Sequence, residues 1–163
     1  NLQKENLEFT HSVIIFWELK MEQQDFSSKM AQATIDIVTP VLEHAMVLSG
    51  QYAKACGRSA VLAKDIEYCM KYCAMHTVGK QIGSYFPDIY DSDESDLDDI
   101  EIVDEEDEDA FEPYNGSNVA MKAITEAYDA WESWVPTNPS EQLLKNAIDS
   151  NEHLSGGLVW HGI

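Results

Sequence analysis

The sequence predicts an all-α fold: a short helix, a long helix and a short helix, then an acidic extended segment and two further amphipathic helices. Three observations carry this. Apolar residues recur at spacings of three and four along separate stretches, the period of a helix with one buried face. Gly57 and Pro136 stop those stretches where a helix would end. Between them lies "DESDLDDIEIVDEEDED", Asp93 to Asp109, in which twelve of seventeen residues are acidic and none is basic.

Each element follows in order. Phe9, Val13, Phe16, Trp17 and Lys20 predict a short amphipathic helix. The polar "EQQDFSS" predicts an interruption, with Ser27 or Ser28 as the cap of the next helix. That helix is long: its stripe runs from Met30 through Ile35, Val38, Leu42, Ala45, Met46, Leu48 and Tyr52 to Cys56. Pro40 lies inside it, removes one backbone bond and is expected to kink it. "RSAVL" predicts an extended linker, and "AKDIEYCMKYCAMH" a third helix with Ile66, Cys69, Met70 and Cys73 on one face. The glycines of 77–92 and Pro87 predict a helix end followed by extended chain. Met121, Ile124, Tyr128, Trp131 and Val135 predict a helix over 117–135, capped by Ser117 or Asn118. Asn138, Pro139 and Glu141 open a last helix whose face is Leu143, Leu144, Ala147 and Ile148.

Charge narrows the function classes. Residues 1–86 are nearly neutral, whereas 87–112 hold fifteen acids and no base. Such a segment repels nucleic acid and membrane surfaces and attracts basic partners. The few Lys and Arg are unclustered, so strong DNA binding by phosphate neutralisation is not expected. The longest apolar run, Val13–Trp17, is far short of the ~20 residues that span a bilayer. No signal peptide is visible, and Cys56, Cys69 and Cys73 form no disulfide framework. A nuclear or intracellular location, or a virion, is expected.

The helix order and several residues together resemble the histone-fold family, closest to the third core histone. Phe9 and Phe26 bracket the first span, "FSSKM" with Ser28 follows, and "ACGRSAVLAKDIEYCMKY" aligns without a gap. The resemblance covers roughly residues 9–73. It implies an intrachain ion pair between Arg58 and Asp65, which opens the third helix beside Lys64 and Ile66. A modest structural role at the domain surface is expected for the pair, worth ~0–1 kcal/mol. It also implies pairing with a second histone fold, with Val38, Leu42, Ala45, Met46, Leu48 and Tyr52 at the dimer interface. The family's phosphate-contacting positions depart here: Asp25 and Ala60 stand where the family has Arg and Thr. Ala55 replaces the His of the family's four-helix contact, which puts histone-style tetramers in doubt.

Little in the sequence points to catalysis. Cys69, Cys73 and His76 are spaced at i, i+4 and i+7, too long a reach for one metal ion, and the cysteines are expected to pack as small apolar residues. No enzyme, cofactor or metal is predicted. Trp131 and Trp134 are expected to anchor a helix in a core. The acidic segment admits three roles: a solvated linker, a clamp on basic proteins, or a strand added to a sheet edge through Ile100, Ile102 and Val103. For the clamp, Tyr85, Phe86, Tyr90, Phe111 and Tyr114 stand beside acids. Ser92 and Ser95, followed by acids, are candidates for phosphorylation.

The expected organisation is a histone-fold domain over 1–86, an acidic arm over 87–116 and a helical segment over 117–163. The expected function is a non-enzymatic dimerisation or scaffold subunit of a chromatin or transcription assembly. It would pair with itself or a related histone-fold chain and bind basic proteins through the arm. The alternative is a minor capsid or internal structural protein of a large DNA virus, with the fold as a dimer clasp.

Overall fold

The computed structural model describes residues 2–90 and 111–155. These residues are all-helical, with no strand among them. The helices are α1 (Leu2–Ala55), α2 (Ala63–His76), a single turn α3 (Pro87–Tyr90), α4 (Val119–Ala130) and α5 (Pro139–Ser155), with a 3₁₀ turn at Trp131–Ser133 after α4. The chain divides into two compact units, Asn1–Ile35 and Asp36–Ile163.

The first unit corrects the predicted break. Helix α1 passes through residues 21–27 without interruption, so the short helix and the long helix are one element and Ser27 and Ser28 cap nothing. The stretch is polar, but polarity alone does not stop a helix. Glu22, Gln23 and Gln24 are good helix formers, and neither Gly nor Pro occurs between Leu2 and Thr39. Asp25 and Lys29 add an i, i+4 ion pair at 2.8 Å, a geometry worth about 0.2–0.5 kcal/mol. Val13, Phe16, Trp17, Leu19, Phe26 and Met30 are all exposed.

In the second unit, α2 lies between its neighbours and packs against both α4 and α5. One core joins Val41, Ala45 and Tyr52 of α1 to Tyr68, Cys69, Cys73 and Ala74 of α2. Met121 and Ile124 of α4, Trp131, and Leu144 and Ile148 of α5 complete it. The C-terminal helices are therefore not a segment apart, as the boundary at residue 117 had it. Their apolar stripes are buried by α2 in the same core.

Local chemistry explains the ends. Gly57 takes φ +82° after the last turn of α1. Its amide donates to the Lys54 carbonyl and that of Arg58 to the Ala53 carbonyl, both at 3.0 Å, the paired bonds of a Schellman stop. Asn118 caps α4, its Oδ1 accepting from the amides of Ala120 and Met121. Asn138 Oδ1 accepts from Glu141 N at 2.9 Å, while Glu141 Oε2 accepts from the amide and hydroxyl of Thr137. Helix α4 is shorter than predicted, ending at Ala130, so Val135 falls outside it and is 76% exposed. Of the predicted α5 face, Leu144 and Ile148 are buried, and Leu143 and Ala147 face outward. Pro87 begins a helical turn rather than extended chain, a position where its missing N–H costs nothing.

Candidate interaction surfaces

The Schellman stop at Gly57 turns the chain so that Arg58 meets Asp65 at the start of α2. The guanidinium donates to both carboxylate oxygens, Nη1 to Oδ2 at 2.6 Å and Nη2 to Oδ1. Asp65 also accepts from the amide of Leu62 at 2.7 Å, which ties off one open donor at the helix start. The bond to Asp65 drives the Arg58 pKa above its already high ordinary value. The expectation of a surface pair is corrected here. The Asp65 side chain is fully buried and that of Arg58 is 13% exposed, because the end of the acidic segment folds over them. Phe111 does the covering: the Arg58 guanidinium lies 5.6 Å from its ring centre, and Tyr68 lies 5.0 Å from it on the core side.

Tyr114 is anchored in the same way. Its amide donates to the Tyr52 hydroxyl at 2.9 Å, which also bonds Thr125 Oγ1 at 2.9 Å. The Tyr114 hydroxyl in turn accepts from Asn118 N at 3.0 Å. Phe111 and Tyr114, expected to be partner anchors, are half-buried against the chain's own core. Aromatic residues beside acids look the same in sequence whether they grip a partner or their own domain.

The predicted dimer face divides. Ala45 and Tyr52 have no exposed surface, and Val38 and Leu48 pack against the same core. Ala45 and Tyr52 are corrected to intrachain contacts, since both are buried in this core, and Val38 and Leu48 are partly buried against it. Leu42 and Met46 remain outward-facing at 38% and 56% exposure.

Tyr85 and Phe86 are exposed and, with His44 and Val47, line a shallow cavity of about 210 Å³. Their segment is held by Glu43, which sequence reasoning did not single out. Its carboxylate accepts from Ser84 Oγ at 2.6 Å and from Tyr85 N at 3.0 Å. The Tyr90 side chain, Ser92, Ser95, Ile100, Ile102 and Val103 lie outside the described residues.

Two further features bear on chemistry. Cys69 and Cys73 are fully buried, whereas His76 is exposed with its ring tilted against that of Tyr72, so the three are not brought together. Burial pushes the Cys69 thiol up to about 12 and the Cys73 thiol up to about 11, the opposite of what a reactive thiolate needs. Lys71, also missed, is almost fully buried. It bonds Glu67 at 3.0 Å and faces the ring of Tyr128 at 4.4 Å and that of Trp131 at 5.5 Å. The Glu67–Lys71 spacing was the one signal for it. Trp131 is fully buried, donates from Nε1 to Asp149 at 2.7 Å and carries Lys145 at 4.4 Å. Among the described residues no cluster of His, Cys, Asp and Glu is arranged to hold a metal, and no helix is long and apolar enough to cross a membrane.

No family model, curated protein or solved structure matches the chain.

Proposed function

We propose that this chain is a non-enzymatic scaffold subunit of a chromatin or transcription assembly, and that its acidic segment binds basic protein partners. The observation that carries this reading is the attachment of the acidic stretch at both ends to one helical body. Glu43 holds the Ser84–Tyr85 side, and Arg58, Tyr68 and Tyr52 hold the Phe111–Tyr114 side. Fifteen acidic residues and no base lie in sequence from 87 to 112, the stretch that these two attachments bracket. That is an arrangement for attracting polycations.

A histone-like origin is proposed for residues 28–73 only. The Arg58–Asp65 pair supports it, because that pair is what the resemblance implies. The unbroken helix through 21–27 keeps the proposal from reaching further toward the N-terminus. Asp25 and Ala60 are both exposed, so the positions that would meet phosphate present an anion and a methyl group. A second reading, a building block of a large viral particle, is favoured by the exposed apolar side chains of α1, which suit assembly more than solution.

The test replaces the acids of 93–109 by their amides, leaving Phe111 in place, and measures affinity for a lysine-rich polypeptide. The expected result is loss of a salt-sensitive interaction with the helical core unchanged by circular dichroism. Unchanged affinity would sink the proposal.

A further inference from the structure

We propose that residues 16–33 of α1 pair antiparallel with the same residues of a second copy of this chain. Phe16, Leu19, Gln23, Phe26, Met30 and Ala33 follow the alternating three- and four-residue steps of a two-stranded seam. The four large side chains among them are exposed by between 54% and 65%. Such a row along one helix face is characteristic of an interface rather than of scattered surface residues.

Charge and size select the occupant. Glu22 and Lys29 flank the seam on the same side, seven residues apart. When two copies run antiparallel with Phe26 facing Gln23, Glu22 of each copy lies beside Lys29 of the other, so the two-fold axis makes the ion pair twice. In the same register Phe16 faces Ala33, large against small, and Leu19 faces Met30. A parallel pair would instead stack Phe16 on Phe16 and Ala33 on Ala33, and would set Glu22 opposite Ser27. Lys29 contacts Asp25 at 2.8 Å within the chain, and both groups are well exposed, so one ammonium can serve both carboxylates. Only side chains of α1 are involved, so failure of the basic-partner reading leaves this pairing intact.

The experiment is sedimentation equilibrium of the full chain at micromolar concentration, with near-ultraviolet circular dichroism to follow the packed tryptophan Trp131. Wild type is expected to be a dimer. Phe26→Asp is expected to be monomeric with an unchanged tryptophan signal. Glu22→Lys and Lys29→Glu are each expected to weaken association about tenfold by placing like charges together. An equal mixture of these two variants is expected to recover wild-type affinity, because each copy then supplies the charge the other needs. A monomeric wild type, a dimeric Phe26→Asp, or a mixture as weak as either variant alone would overturn the proposal.

Discussion

The amide of Gly83 donates to the carbonyl of Asp36 at 2.8 Å, and Pro40 explains why. In a regular helix the Asp36 carbonyl would accept from the amide of residue 40, which proline lacks. The open acceptor is filled from a loop more than forty positions later in the chain. Gly83 reaches it with φ +80°, a conformation open to glycine at little cost.

Gly83→Ala is therefore expected to destabilise the second unit by about 1–2 kcal/mol, the cost of a side chain in the left-handed region. Apart from its chain neighbours, no heavy atom lies within 4 Å of the added methyl group, so the penalty comes from the local backbone and not from tertiary packing. Urea denaturation followed by far-ultraviolet circular dichroism measures it. An unchanged midpoint would show that the loop has other ways to reach Asp36.

The Arg58–Asp65 pair is largely withdrawn from solvent. Asp65→Ala is expected to cost about 3–5 kcal/mol, because it leaves Arg58 charged and enclosed under Phe111. Arg58→Lys is expected to recover only part of the pair, since an ammonium cannot present two parallel donors. Chemical denaturation of the two variants tests both statements. A loss below 1 kcal/mol for Asp65→Ala would return the pair to the class of surface contacts.

Tyr52 is a hub of a different kind. Its hydroxyl serves Tyr114 N and Thr125 Oγ1 together, linking α1, α4 and the chain that precedes α4. Tyr52→Phe keeps the ring and removes both bonds, so a loss of about 1–3 kcal/mol is expected from the stranded amide. Hydrogen exchange at the Tyr114 amide is the specific readout, and it is expected to accelerate more than exchange within α5.

Alkaline pH exposes the buried thiols. Cys69 and Cys73 ionise at about 12 and 11 in the fold, against an ordinary value of 9.0. The unfolded chain therefore loses these protons first. Stability is intact below pH 9 and falls as pH rises toward 11–12, by up to about 1.4 kcal/mol per pH unit for each thiol. Native protein at neutral pH is expected to expose only Cys56 to a thiol reagent, with all three reacting on unfolding. Replacing Cys69 and Cys73 by Ala should flatten the alkaline limb.

Signals confined to a few residues were legible in the sequence. Gly57, Asn118, Asn138 and Pro139 act where they stand, and each ends or begins a helix by local geometry alone. Arg58 and Asp65 were legible as a pair through resemblance, but their burial was not, since it depends on Phe111 arriving from a distant part of the chain. The stripe through Ala45 and Tyr52 declared an apolar face without declaring what covers it; the C-terminal helices of the same chain do. The continuity of α1 was hidden because a run of polar helix formers resembles a loop in composition while behaving as a helix. Glu43 gave no signal, because its partners, Ser84 and Tyr85, lie forty residues away.

The anchoring of Phe111 against Arg58, with Ser84 and Tyr85 fixed by Glu43, makes the acidic stretch a link between two moorings on one body. A single peptide bond cut between 91 and 110 would separate the chain into two pieces that share a core: α1 and α2 on one, α4 and α5 on the other. The halves would stay joined by Tyr68 stacked on Tyr128 at 3.8 Å and by Trp131 seated against α2. The molecule would survive the cut in one piece, with its negative charge divided between two new ends.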